Sequence, residues 1–225
     1  MNTLKIAIDG PSGAGKSTVA RALAQAMNME YVDTGALYRT LAYIAQREGV
    51  EDPKEILQVA EDYTIDFHGG QVYLNGRALG SEIRTEAISQ QTSKIAASPL
   101  IRQHLLDLQR QLAQKRHTVM EGRDIATVVL PDAQVKIFLT ASEEVRGERR
   151  YEELKERGEN PTLAEVLEDI HQRDLRDKNR AVAPLRPSEE SIVVDASRKS
   201  VAEIVGEIKG HIPREYLTED ASHAL

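Results

Sequence analysis

Short apolar runs alternate with longer segments of helical period along most of this chain. That is the signature of a parallel sheet covered by helices. Leu4-Lys5-Ile6-Ala7-Ile8 predicts a first strand, and the alanine-rich stretch from Lys16 to Met27 a first helix. Tyr31-Val32 predicts a short strand ending at Asp33. Leu37, Leu41 and Ile44 recur at i, i+4, i+7 in a helix expected from Ala36 to Arg47. The pattern then changes. Thr64-Ile65-Asp66-Phe67 and Val72-Tyr73-Leu74 alternate as strands do, and Asn75-Gly76 between Leu74 and Arg77-Ala78-Leu79 is a hairpin signal, because both turn positions need positive φ. A small antiparallel sheet therefore interrupts a parallel α/β chain.

Helical pattern resumes near Arg84. Ser98-Pro99 predicts an N-cap followed by proline at the first helical position, and Ile101, Leu105, Leu108 and Leu112 form the buried stripe behind it. Thr118-Val119-Met120 and Val135 to Leu139 are further core strands. Ser142-Glu143-Glu144 opens a helix to about Glu156, and Thr162-Leu163-Ala164-Glu165 is a capping box opening another. Ile192-Val193-Val194 is the last strand and Val201 to Lys209 the last helix. From Pro213 to Leu225 there is little to bury, and a loose tail is expected.

Composition narrows the chemistry. The 225 residues contain no cysteine, which removes disulfides, thiolate metal sites and a cysteine nucleophile. There is no tryptophan and only 4% aromatic residues, and the net charge is -7, so nucleic acid is not an expected partner. No apolar run approaches the roughly 18 residues that span a bilayer. The N-terminus lacks a basic leader and a small-residue cleavage site, so a cytoplasmic location without membrane contact is expected. Arginines nevertheless cluster at Arg146, Arg149, Arg150 and Arg157, then at Arg173, Arg176 and Arg180. Local arginine clusters in an acidic chain suit a small polyanion such as a nucleotide.

Gly10-Pro11-Ser12-Gly13-Ala14-Gly15-Lys16-Ser17 matches G-x-x-x-x-G-K-[ST] in full and sits between a predicted strand and a predicted helix. The glycines let backbone N–H groups turn inward on phosphate oxygens, and the helix presents its positive dipole end there. Lys16 can reach the β- and γ-phosphates of ATP, and the Ser17 hydroxyl can ligate Mg²⁺. The expected ATP contacts run from Gly10 through Thr18.

Two further motifs fall at strand ends, where open α/β sheets hold ligands. In Asp33-Thr34-Gly35-Ala36-Leu37-Tyr38-Arg39, Thr34 can donate a hydroxyl and Arg39 can fork onto a phosphate. Glu121-Gly122-Arg123-Asp124 follows the strand at Thr118. Arg173, Asp177 and Arg180 are spaced to share one face of a helix, a pattern also shown by a solvated charged face.

Together these segments resemble the bacterial cytidylate kinases. The matching signatures are IDGPSGAGKST, DTGALYRTLA, the SEIRT and SKIAASPLIR segments, MEGRDIATVVLPDAQVKIFL and RDLRDKNRAVAPL, and they extend from Lys5 to about Ile208. The resemblance implies a three-layer P-loop fold with a five-stranded parallel sheet, an inserted nucleoside-monophosphate subdomain with a small antiparallel sheet, and a short lid. The expected divisions are core at 1–33, insert at 34–102, core at 103–146, lid at 147–162, core at 163–212 and tail at 213–225. It implies ATP-dependent phosphorylation of CMP, and of dCMP, by a monomer that needs Mg²⁺.

The resemblance also distributes roles. Thr34, Arg39 and Arg123 would lie at the acceptor phosphate; Ser93, Arg102 and Asp124 would read cytosine; Arg173 and Asp177 would hold the ribose. Arg180 would be a further arginine on the substrate side, and Glu121, where many relatives carry aspartate, could organise water around Mg²⁺. The base chemistry agrees: a carboxylate accepts from the exocyclic amine of cytosine, and uracil would set a carbonyl against it. Lys16, Arg123, Arg149 and Arg150 are the expected catalytic cations, the last two closing from the lid, with Gly158 as a hinge. The rival expectations are another P-loop small-molecule kinase and a non-catalytic nucleotide sensor.

Overall fold

The computed structural model describes residues 3–217. Five strands form a parallel sheet: β1 (Lys5–Asp9), β2 (Glu30–Asp33), β6 (Thr118–Gly122), β7 (Val135–Thr140) and β8 (Ile192–Asp195). Their order across the sheet is β2-β6-β1-β7-β8. β1 is central, with Lys5 opposite Thr118 on one side and Ile6 opposite Val135 on the other. Its residues are buried on both faces, which is why it reads as a nearly continuous apolar run.

One face packs Leu4, Ile6, Ile8, Ile137 and Leu139 against α1 (Lys16–Ala26) and α8 (Val201–Lys209) through Val19, Leu23, Ile204 and Ile208. The other face packs Ala7, Val32 and Met120 against Ile125, Val129 and Leu130. These last residues belong to or follow a π-helical turn, Ile125–Val129, that the sequence pattern did not announce.

Between β2 and β6 the chain builds a second body with its own core. It comprises α2 (Thr34–Glu48), α3 (Pro53–Ala60), β3 (Ile65–His68), β4 (Gln71–Leu74), β5 (Arg77–Ala78), α4 (Glu86–Ile95) and α5 (Pro99–Leu112). Leu37, Leu41, Ile44, Ile56, Ile88, Ile101 and Leu105 interlock in it. The hairpin turns on Asn75 (φ 51°) and Gly76 (φ 76°), as the dipeptide predicts. α3 was not anticipated. Ser98 holds the N-cap position with Pro99 at N1, but its side chain makes no cap hydrogen bond, a departure from the expected capping.

After β7, α6 (Glu143–Glu156) and α7 (Leu163–Asn179) form an antiparallel pair closed by Leu154, Val166 and Ile170. The expected capping box at Thr162 is present, and Gly158 takes φ 79° just past α6. The segment expected as a lid, 147–162, is the body of α6 and the turn into α7. α7 stops at Asn179, so Arg180 is not on the helix with Arg173 and Asp177. The Leu185 N–H bonds the Asp177 carbonyl and draws the chain back, ending the helix. Of the expected loose tail, Arg214–Tyr216 forms a 3₁₀ turn, and Tyr216 packs on the sheet core. Residues 218–225 lie outside the described residues.

Candidate active site

Because the sheet is parallel, the C-terminal ends of β1, β2 and β6 face one edge. There they border a cavity of about 490 Å³. Ten cationic side chains and five carboxylates line it, in a chain of net charge -7. The local excess of positive charge selects for an anion.

The loop Gly10–Gly15 leaves β1 and enters α1. A Cβ on Gly10 would stand 1.9 Å from the Leu139 carbonyl oxygen, so no side chain fits where the loop crosses β7. Ser12, Gly13, Gly15, Lys16, Ser17 and Thr18 line the cavity; Gly10, Pro11 and Ala14 stand behind as its frame. Arg146 stiffens the loop from outside: its Nη1 donates to the Ser12 carbonyl at 3.0 Å and pairs with the buried Asp174 at 2.7 Å. Lys16 Nζ donates one hydrogen bond, to the Pro11 carbonyl at 2.7 Å, and keeps two donors for an anion. Burial, reinforced by the Arg123 guanidinium, pushes the Lys16 pKa down to about 7.

β2 ends in Asp33, whose carboxylate caps α2 by accepting the Ala36 N–H at 3.0 Å. The same carboxylate takes Arg39 Nη2 at 2.6 Å and Arg84 Nη2 at 3.2 Å. Burial alone would raise its pKa, but the two guanidiniums outweigh burial and hold it below the usual carboxylate range. Arg39 is thus aimed by Asp33, and its Nε is buried without a partner. Thr34, expected to offer its proton to a ligand, donates it to the Glu121 carbonyl at 2.7 Å and so ties α2 to β6.

β6 ends in Glu121, and the chain then turns sharply through Gly122, Arg123 and Asp124. The turn is shaped from below. The buried Asp9 accepts the N–H groups of Ile125 and Ala126, both at 2.8 Å, and so fixes the start of the π-helical turn. Burial raises the Asp9 pKa to about 6. Arg123 Nε meets Asp177 of α7 at 2.8 Å. Burial works against the Arg123 charge, but Asp177 more than compensates, and its pKa rises. Arg173, one turn before Asp177, is buried with an unpartnered Nε, and burial with the nearby Arg123 lowers its pKa to about 10.

At the far end Arg102 of α5 is ion-paired with Asp124 through Oδ2. The other oxygen, Oδ1, faces Arg180 Nη2 at 3.7 Å, beyond hydrogen-bond range. The Ser93 hydroxyl and Arg180 Nη2 are buried without partners. Arg180, though past the end of α7, still turns its guanidinium into the cavity.

The structure therefore gathers every expected acceptor-side residue, Thr34, Arg39, Ser93, Arg102, Arg123, Asp124, Arg173, Asp177 and Arg180, on one wall system. Two of the α6 arginines, Arg149 and Arg150, also line the cavity, each already engaged. Arg149 Nη2 donates to the Ala196 carbonyl at 2.7 Å while Nη1 lies over Gly15. Arg150 bridges Glu86 of α4 at 2.8 Å and Glu153 at 3.0 Å.

Several members escaped sequence reasoning. Asp33 and Asp9 close strands, and an acidic residue at a strand end was the available signal. Tyr38 and Arg84 line the cavity from α2 and the turn before α4, with no motif to mark Tyr38 beyond its place before Arg39.

The sequence matches the Cytidylate kinase family over residues 6–214. The cytidylate kinase of Clostridioides difficile (strain 630) is 42% identical over 94% of this chain and 99% of its own length. That of Fervidobacterium nodosum (strain ATCC 35602 / DSM 5306 / Rt17-B1) is 47% identical over 91% of this chain and 94% of its own. A solved structure of an uncharacterized protein from Eubacterium ventriosum ATCC 27560 shares the fold, with a TM-score of 0.51 at 17% identity over 94% of this chain and 98% of that one. No helix among the described residues is long and apolar enough to cross a membrane. The phosphate loop, the facing arginines and these full-length similarities lead to one assignment: the chain belongs to the cytidylate kinase family.

Proposed function

We propose that this cleft transfers the γ-phosphoryl group of ATP to CMP, and to dCMP, releasing ADP and the nucleoside diphosphate. The observation that carries the reading is a set of buried, unpartnered polar atoms in one cavity: Arg39 Nε, Ser93 Oγ, Arg173 Nε and Arg180 Nη2. Leaving such atoms unpaired costs about 1–3 kcal/mol each. Their positions fit a nucleoside monophosphate, with Arg39 at the phosphate, Arg173 at the sugar and Ser93 with Arg180 at the base.

Phosphoryl transfer asks for alignment and positive charge more than for covalent chemistry. Lys16 and the loop N–H groups hold the donor phosphates. Arg39 and Arg123 hold the acceptor phosphate, which is already ionised near neutral pH, so no general base is assigned. Asp124 Oδ1 accepts from the cytosine amine while Arg102 and Ser93 donate to the ring nitrogen and carbonyl. Arg149 and Arg150 close over the transferring group once released from their present partners, and closure keeps water from competing as acceptor.

The residues also fit Mg²⁺. Ser17 would be a hydroxyl ligand at the edge of the loop, and it lines the same cavity as the buried carboxylate of Glu121. Burial raises the Glu121 pKa, as does neighbouring Asp33, which marks two carboxylates crowded at one place. Hydroxyl and carboxylate oxygens are the donors this ion prefers. When bound, the ion would neutralise charge on the donor phosphates. In the same reading the protein acts as a monomer on free nucleotides in the cytoplasm.

A coupled assay for ADP with CMP, dCMP, UMP and AMP tests the reading. Turnover should require a cytosine nucleotide, and ADP release independent of any acceptor would refute it. Asp124→Ala should narrow the CMP/UMP ratio of kcat/KM by about 10-fold or more. An unchanged ratio would remove Asp124 from base selection.

A further inference from the structure

Tyr31 takes no part in the site as described, yet it touches it. Its hydroxyl donates to Glu121 Oε1 at 2.5 Å, a buried contact between residues 90 apart in sequence. The register explains the meeting. Asp33 stands opposite Glu121, and Tyr31 opposite Val119, so Tyr31 and Glu121 project from the same face of β2 and β6, offset by one pair. The long phenol lies along that diagonal. The ring is held from two further directions. The Arg21 guanidinium of α1 lies 5.3 Å from its centroid, and Gly70 of the β3–β4 turn packs so near that a Cβ there would be 3.0 Å from Cδ1.

A buried glutamate has one more torsion than an aspartate and can point more than one way. Here one carboxylate oxygen accepts the Tyr31 hydroxyl, and the side chain lines the cavity together with Ser17. A fixed phenol is a suitable anchor, because a tyrosine hydroxyl, with an ordinary pKa of about 10, keeps its proton at neutral pH. It therefore acts as a donor, and Glu121 Oε1 as its acceptor.

We propose that Tyr31 is a positioning residue for the divalent-cation site, holding the Glu121 carboxylate at the cavity wall beside the phosphate loop so that it presents oxygen to the ion or its water. The inference rests on the reading that Glu121 serves the metal, and one experiment separates the two. Mn²⁺ binding is measured by electron paramagnetic resonance on the protein saturated with an ATP analogue that cannot transfer its γ-phosphoryl group. Affinity for that analogue without metal is measured by calorimetry in EDTA.

Tyr31→Phe should lower Mn²⁺ affinity about 10-fold, the usual size of a lost outer hydrogen bond, and leave metal-free analogue affinity unchanged. Glu121→Gln, which keeps the side-chain shape, should lower it at least as much. In a Glu121→Asp background, whose shorter carboxylate no longer reaches the phenol, Tyr31→Phe should have no further effect. If Glu121→Gln leaves Mn²⁺ affinity intact, the metal reading itself fails. If Glu121→Gln weakens binding and Tyr31→Phe does not, the role of Tyr31 alone fails. Equal loss of metal-free binding in Tyr31→Phe would make the residue a packing element and overturn the proposal as well.

Discussion

Lys16 shows how a single residue carries both stability and function. Its ammonium is buried among guanidiniums, and its pKa falls to about 7, chiefly by burial and then by Arg123. Such a lysine holds its charge less readily than an exposed one until an anion arrives. Bound phosphates favour the charged form, so nucleotide binding must draw a proton from solvent. The sign follows: uptake is small below the free pKa of about 7, where the lysine is already protonated, and grows as pH rises above it. Calorimetry of metal-free ATP binding in buffers of different ionisation enthalpy should read on the order of half a proton at pH 7, approaching one at pH 8. Omitting metal keeps Glu121 from contributing a proton of its own. Lys16→Arg, charged throughout, should abolish the uptake, and its persistence would assign the proton to another group. Lys16→Ala should abolish turnover with the fold intact.

At the scale of elements, the strands and most helices were legible because their apolar periods and caps are local. The P-loop was legible for the same reason: its geometry is encoded in eight consecutive residues. α3 was not anticipated although Asp52 caps it and Pro53 stands at N1, because it is only eight residues long and lies in a stretch of mixed polarity. The π-helical turn could not be read, since it depends on Asp9, 116 and 117 residues away from the N–H groups it binds. The end of α7 before Arg180 depends likewise on a return of the chain at Leu185. Residue types in the site were legible; the pairings that aim them, such as Arg102 with Asp124 and Asp177 with Arg123, were not, because they cross between elements. The Asp9 contact gives a direct test. Asp9→Asn exchanges one acceptor oxygen for a donor and leaves a buried N–H unpaired, which should cost about 1–3 kcal/mol. Urea unfolding should show the loss, and kcat for CMP should fall with it, because Arg123 and Asp124 ride on that turn. A stability loss with unchanged kcat would show that the turn does not set the site.

Across the whole molecule, the insert is tied to the α6–α7 pair at the mouth of the cleft. Arg150 reaches Glu86, Arg157 reaches the Arg84 carbonyl at 2.8 Å, and Gln90 contacts both Asp169 and Arg176 at 3.2 Å. Contacts of this kind are partly exposed and individually weak, typically 0–1 kcal/mol. They can therefore part without unfolding either core. Glu86→Ala should speed amide exchange in α4 and in the α6–α7 turn while leaving the melting temperature within a few degrees. Unchanged exchange would mean that this seam does not govern opening.

The strand order has a consequence for distance. β6 lies between β1, which launches the phosphate loop, and β2, which launches α2 with Arg39. Two strand spacings separate the launching points, roughly 10 Å. That is about the reach of a short row of phosphates, and the end of β6, with Glu121 and then Arg123, lies between the two launching points. The pleated sheet thus works as a ruler: the gap between giver and taker is set by backbone hydrogen bonding, which no side-chain substitution can stretch.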